Sequence, residues 1–60
     1  MFTVAKRDDG LATVTKRLDG YAVSAWVTRW NVSAKMMLSG WETVARGLTL
    51  KQAMERLATA

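Results

Sequence analysis

Residues 21–30, YAVSAWVTRW, decide the fold of this chain. The stretch is rich in β-branched and aromatic side chains, which favour strands, and it directly follows Asp19-Gly20. Asp-Gly between two alternating runs is the strongest short-range hairpin signal, because a type I′ turn needs positive φ at both central residues. The sequence therefore predicts that residues 21–30 form the central strand of a small antiparallel sheet, paired with residues 11–18.

A two-residue turn at Asp19-Gly20 would also fix the register and, with it, the two faces of the sheet. The predicted core face pairs Leu18 with Tyr21, Lys16 with Val23, Val14 with Ala25, and Ala12 with Val27. The opposite face would carry Thr13, Thr15 and Arg17 against Ala22, Ser24, Trp26, Thr28 and Trp30. This second face is polar except for its two indoles, so whether those are buried or exposed decides its role.

Residues 2–7 are predicted to form a first strand, joined to the second by the loop Asp8-Asp9-Gly10. That loop sets Val4 opposite Val14 and Phe2 near Lys16, which places Phe2 and Val4 on the core face.

Residues 32–47 allow two interpretations. The favoured one is a second hairpin, with strands 34–38 and 41–46 around Ser39-Gly40. Its shared face would hold Ala34, Met36 and Leu38 together with Trp41, Thr43 and Ala45. The other is a helix with Ser33 as its N-cap, in which Gly40 would cost about 1 kcal/mol.

The end of the chain predicts a short helix. Thr49 and Gln52 have the spacing of a capping box, and an apolar stripe follows, made of Leu50, Ala53, Met54 and Leu57. This stripe should pack on the apolar face of the sheet. The expected fold is therefore α+β: one domain of residues 1–60, an antiparallel β-meander of three to five strands with one C-terminal α-helix.

Composition limits the function classes. The 60 residues include no Cys and no His and carry a net charge of +4. Without His or Cys the chain lacks the commonest general base, thiolate nucleophile and metal ligands, so we expect no catalytic residues, no metal site, no cofactor and no enzymatic activity. No apolar leader or membrane-length run is seen, which predicts a cytoplasmic protein with no membrane partner. A domain this small, without a disulfide or a structural metal ion, often gains stability by forming a homodimer.

Three binding hypotheses remain. The leading one is a non-catalytic protein that engages a protein partner, as an inhibitor or regulator, through a sheet edge or an exposed sheet face bearing Arg17, Trp26, Thr28, Trp30 and Met37. The alternative is nucleic-acid binding, with stacking on the indoles and phosphate contacts from Lys16, Arg17, Arg29, Lys35 and Arg46. In the third, the Trp patch is the chain's own dimer interface.

A three-stranded sheet followed by a helix that opens Thr-x-x-x-Ala, here Thr49 to Ala53, is similar to the arm-type DNA-binding domains of phage integrases. The resemblance implies DNA contacts from basic strand tips, for which Arg17, Arg29 and Lys35 are the matching residues. A short chain without Cys also resembles the accessory proteins of phages, which often bind and block a host protein.

Overall fold

Four antiparallel strands and one helix make up the computed structural model, which describes residues 2–59. The elements are β1 (Phe2–Lys6), β2 (Ala12–Arg17), β3 (Gly20–Asn31), β4 (Met36–Leu48) and α1 (Leu50–Thr59). The strands follow one another in the sheet in chain order. This confirms the predicted α+β meander with its C-terminal helix.

The β2–β3 hairpin has a different register from the predicted one. Val14 lies opposite Val23, and Lys16 lies opposite Tyr21. The loop consists of Leu18 and Asp19, and Gly20 follows it with a φ of 124°. A type I′ turn would place the glycine within the two-residue loop. Here the glycine with positive φ comes one position later, directly after the loop. The pairing moves by two residues, which is the side-chain period of a strand, so the predicted faces are retained although the predicted pairs are wrong.

β1 joins the sheet through a bulge. Phe2 pairs with Lys16 as predicted, but the register shifts between Thr3 and Ala5, so that Ala5 rather than Val4 lies opposite Val14. Ala5 packs against the core, whereas Phe2 and Val4 are exposed. Their assignment to the core was wrong. The inserted residue puts Ala5 in the place predicted for Val4, whereas Phe2 keeps its predicted partner but is 63% exposed at the end of the edge strand.

Residues 36–48 form one continuous strand, so both interpretations of residues 32–47 were wrong. Ser39 and Gly40 lie within β4, opposite Thr28 and Val27, and do not form a turn. The shared face also differs from the predicted one, because Trp41 lies on the side of Ser39 and Met37, not of Met36 and Leu38. Strand character itself is confirmed; long-range pairing with β3 overrides the local turn preference of Ser-Gly.

The core is small and lies between α1 and the sheet. Its buried residues are Ala12, Val14, Val23, Ala25, Ala53 and Leu57. The capping box is confirmed: the Thr49 N–H donates to Gln52 Oε1 (3.0 Å), and the Gln52 N–H donates to Thr49 Oγ1 (3.2 Å). Of the predicted apolar stripe, only Ala53 and Leu57 are buried, while Leu50 and Met54 remain exposed.

The β3–β4 hairpin projects beyond the rest of the sheet. β2 pairs with β3 only as far as Ala25, whereas the β3–β4 pairing continues to Asn31 and Met36. We call residues 26–31 and 36–41 the ribbon. The radius of gyration is 12.7 Å, against about 10.4 Å for a compact chain of this length. The elongation reflects this two-stranded extension, which no helix covers.

Candidate functional site

The ribbon carries its large aromatic side chains on one side. Cross-strand pairing places Trp26 opposite Trp41 and Trp30 opposite Met37. The even-numbered residues of β3, which include Trp26 and Trp30, point away from the side of the sheet that packs on α1. We call this surface, formed by Trp26, Trp30, Met37 and Trp41, the aromatic face. Its side chains are 44%, 59%, 55% and 53% exposed, so the indoles are surface groups and not core.

Contacts between neighbouring side chains hold the aromatic face in a defined arrangement. The rings of Trp26 and Trp41 pack edge to face, with centroids 5.8 Å apart and planes at 78°. Beside them, the hydroxyls of Thr28 and Ser39 lie 2.9 Å apart and share a hydrogen bond. Edge-to-face packing matches the positive edge of one ring to the negative face of the other. A partner would therefore meet side chains whose rotamers are already restricted, which lowers the entropy lost on binding.

Trp41 is the member of the aromatic face that sequence reasoning missed. It lies in the segment whose structure was ambiguous, and the hairpin interpretation placed it on the face of Met36 and Leu38. The signal that could have found it is spacing. If the β3 strand turns back after Asn31 and pairing restarts at Met36, Trp41 falls opposite Trp26, since each Trp lies five positions from its end of the turn.

The predicted partner-binding residues are mostly brought together. Trp26, Thr28, Trp30 and Met37 lie on neighbouring positions of the two ribbon strands. Arg17 is on the same side of the sheet but at the far end, opposite Gly20. Six residues of strand separate it from Trp26, or roughly 20 Å. Arg17 is therefore not part of the aromatic face.

The predicted nucleic-acid-binding residues are distributed over different surfaces. Lys16 lies on the helix side, with Nζ 4.7 Å from the centroid of the Tyr21 ring. Arg29 is on the opposite side of the ribbon from the indoles, and its guanidinium bonds Glu42 at 2.7 Å. Lys35 lies in the turn at the ribbon tip with a φ of 55°, and Arg46 adjoins the bulge at Gly47. The fold gathers no continuous basic surface from this set.

The ribbon contains a hollow at Gly40. A cavity of about 440 Å³ is lined there by side chains that include Val27, Arg29, Leu38 and Glu42. A Cβ atom built on Gly40 would have no other atom within 4 Å. Trp30, Ser39 and Trp41 also line this hollow, so it borders residues of the aromatic face.

Asp9, in the loop between β1 and β2, has a lowered pKa. The Arg7 side chain and then the Leu11 N–H donate to the Asp9 carboxylate, which lowers the pKa of Asp9 below its ordinary value of 3.8. These bonds close the β1–β2 loop, as expected for an Asp at a turn. Within residues 2–59, no three His, Cys, Asp or Glu side chains lie close enough together to hold a metal ion.

No protein-family model matches this chain, and neither a curated protein nor a solved structure does so. The resemblance to arm-type DNA-binding domains therefore stays a prediction. In the part of the chain that the structure describes, α1 is the one helix, and it is too short and too polar to cross a membrane.

Proposed function

We propose that this chain is a non-catalytic binding protein that engages a protein partner through the aromatic face of the ribbon. The observation that carries the proposal is the exposure of three indoles and Met37 on a hairpin that projects beyond the core. Exposed apolar groups of this size, contiguous on one face, typically mark an interaction site. Trp and Met are also enriched at protein interfaces, and Trp is a common hot-spot residue.

The charges near the aromatic face favour a protein partner over nucleic acid. The six ribbon positions on this side are Trp26, Thr28, Trp30, Met37, Ser39 and Trp41, none of which is charged. A nucleic-acid interface that stacks bases on indoles needs cations beside them for the phosphates. Here Arg29 lies on the reverse side and is paired with Glu42. An uncharged centre rimmed by polar groups is the usual anatomy of a protein interface.

A binding protein of this kind would act as an inhibitor or regulator, since covering a partner's surface requires no catalytic group. We propose that it does so in the cytoplasm.

The test is affinity capture with the immobilised chain from nuclease-treated extract, at low and high salt. Trp30→Ala should abolish capture of the partner, because the loss of a hot-spot residue costs about 2 kcal/mol or more. Leu18→Ala is the matched control: it also removes a large exposed apolar side chain, but at the hairpin tip away from the ribbon. A partner retained equally by both variants would contradict the proposal.

Titrating the Trp fluorescence with short oligonucleotides distinguishes nucleic-acid binding from binding of a protein partner. The protein-binding proposal predicts no quenching, or quenching that Trp30→Ala does not change. Quenching that disappears in Trp30→Ala and weakens steeply with salt would instead establish the nucleic-acid alternative, because phosphate contacts release counterions.

A further inference from the structure

We propose that the outer edge of β4 pairs with β4 of a second copy of this chain. The two strands would run antiparallel about a two-fold axis at Ser39, and the two four-stranded sheets would become one eight-stranded sheet. The proposal does not rest on the proposed function, since it concerns the backbone groups of the β4 edge, although Met37 and Trp41 of the aromatic face also belong to that strand. It also differs from the hypothesis of a dimer through the Trp patch, because the indoles would remain exposed.

The two edges of the sheet differ in how they are protected from pairing. Proteins normally protect an edge strand by keeping it short or by adding a bulge, Pro or Lys. The β1 edge follows this rule, with five residues, a bulge after Thr3, and Lys6. The β4 edge does not follow it over residues 36–43, MMLSGWET, which keep one unbroken register with β3. Among residues 2–59, no strand pairs with this edge, so its outward N–H and C=O groups are available.

The β4 edge is complementary to itself. A two-fold axis at Ser39 sets Leu38 of each copy opposite Gly40 of the other. Gly40 has open space where a side chain would be, and it lines the hollow of about 440 Å³. On the aromatic face the same register sets Trp41 opposite Met37 of the second copy, a favourable sulfur–aromatic arrangement. Glu42 then lies opposite Met36 of the second copy, so no like charges meet.

The exposed area of the chain is larger than that of a compact monomer of the same mass. The chain exposes 4464 Å², against about 3900 Å² expected for a monomer of 6.7 kDa. The excess of about 550 Å² belongs to the chain as a whole, and the outer edge of β4 is part of it; a small interface of about 1100 Å² takes a similar area from each copy. The dimer should therefore form in a concentration-dependent manner. Because the axis is perpendicular to the sheet, it would present two aromatic faces on the same side.

Disulfide formation tests the geometry directly, because residues 1–60 contain no Cys. Around the proposed axis the two Ser39 Cβ atoms lie roughly 5 Å apart, within reach of a disulfide, whereas the two Thr28 residues lie about three strand spacings, or roughly 14 Å, apart. Ser39→Cys should oxidise to a dimer of twice 6.7 kDa, and Thr28→Cys should stay monomeric. The two variants are matched, because each removes the same Thr28–Ser39 hydrogen bond. Equal cross-linking of both, or of neither, would overturn the edge-paired dimer.

A second variant tests the hollow without any Cys. Gly40→Val adds a β-branched side chain where open space exists, so the single chain should fold at least as well. The added methyl groups would occupy the place of Leu38 of the second copy and should raise the dissociation constant of the dimer about tenfold. Sedimentation equilibrium measures it. A wild-type chain that stays at 6.7 kDa at the highest soluble concentration, or a Gly40→Val dissociation constant equal to that of the wild type, would contradict the proposal.

Discussion

Gly20 is the residue whose backbone sets the register of β2 against β3. Its φ is 124°, and a Cβ atom there would lie 2.9 Å from the Leu48 carbonyl oxygen. We expect Gly20→Ala to destabilise the fold by more than the about 1–2 kcal/mol that a left-handed backbone alone costs an L-residue. Gly10→Ala is the control, because Gly10 also has positive φ, of 72°, but open space around it. Urea unfolding measures both, and equal losses would mean that the contact with Leu48 has no energetic effect.

Asp9 provides a prediction on pH. The Arg7 guanidinium, and then the Leu11 N–H, hold the pKa of Asp9 below 3.8 in the folded chain. A folded pKa lower than the unfolded one gives a stabilisation that is present above the unfolded pKa and is lost as the pH falls through the folded pKa. NMR titration of the Asp9 carboxyl should give a value below 3.8, and Arg7→Gln should raise it. An unchanged pKa in the variant would contradict the assigned cause.

The face on which a side chain lies was predicted correctly where the two-residue period of a strand determines it. It was predicted incorrectly where a β-bulge interrupts that period. That Trp26 and Trp30 share a face follows from their spacing, whatever the register. The inward position of Ala5 in place of Val4 depends on one inserted residue in β1, which leaves no mark on the hydrophobic pattern. The turn was predicted one residue too late, at Asp19-Gly20. The loop is Leu18-Asp19, Gly20 begins β3, and Val14 pairs with Val23.

At the scale of one element, helix α1 depends on its N-terminal cap. The Thr49 hydroxyl accepts a bond from the Gln52 N–H, which would otherwise have no partner within the helix. We expect Thr49→Ala to cost about 1 kcal/mol of unfolding free energy. Thr49→Ser keeps the hydroxyl and should lose much less. Thermal or urea unfolding followed by far-ultraviolet circular dichroism distinguishes the two, and equal stability of all three proteins would contradict a stabilising role for the cap.

Strand β4 shows why local signals could not predict this element. Ser39-Gly40 has the composition of a turn, and the local pattern allowed either a hairpin or a helix. In the structure, pairing with β3 holds residues 36–43 in register, and Gly40 lies opposite Val27. Ser39 and Gly40 pair with Thr28 and Val27, which lie 11 and 13 positions earlier, so the decisive contact lies outside the local pattern. The helix and its N-terminal cap were predicted correctly, because the capping residues lie close together in the sequence.

At the scale of the whole molecule, the core is so small that one large side chain carries much of its stability. Leu57 is 6% exposed and packs with Ala53 under the sheet, whereas Met54 is 44% exposed. Leu57→Ala should cost about 2–5 kcal/mol and unfold most of the protein at room temperature. Met54→Ala, on the same helix, should change stability by less than about 1 kcal/mol. Similar losses in the two variants would mean that the helix buries a different face.

The division between a small core and an extended ribbon is the feature that the sequence did not disclose. The pattern indicated an apolar face under the helix and two indoles on the other side, but it left open whether residues 32–47 would cover those indoles. Residues 36–48 pair with β3 instead, so the indoles stay in solvent and a third indole, Trp41, joins the exposed pair. The proposed binding role depends on this arrangement.

The most direct test of the central claim is the unfolding free energy of Trp30→Ala, measured by urea denaturation at low protein concentration. If the aromatic face is a surface held ready for a partner, removal of this indole should change the free energy of unfolding by no more than about 0.5 kcal/mol. A loss of about 3 kcal/mol or more, as for truncation of a buried Trp, would show that the indoles serve as core and would contradict the account.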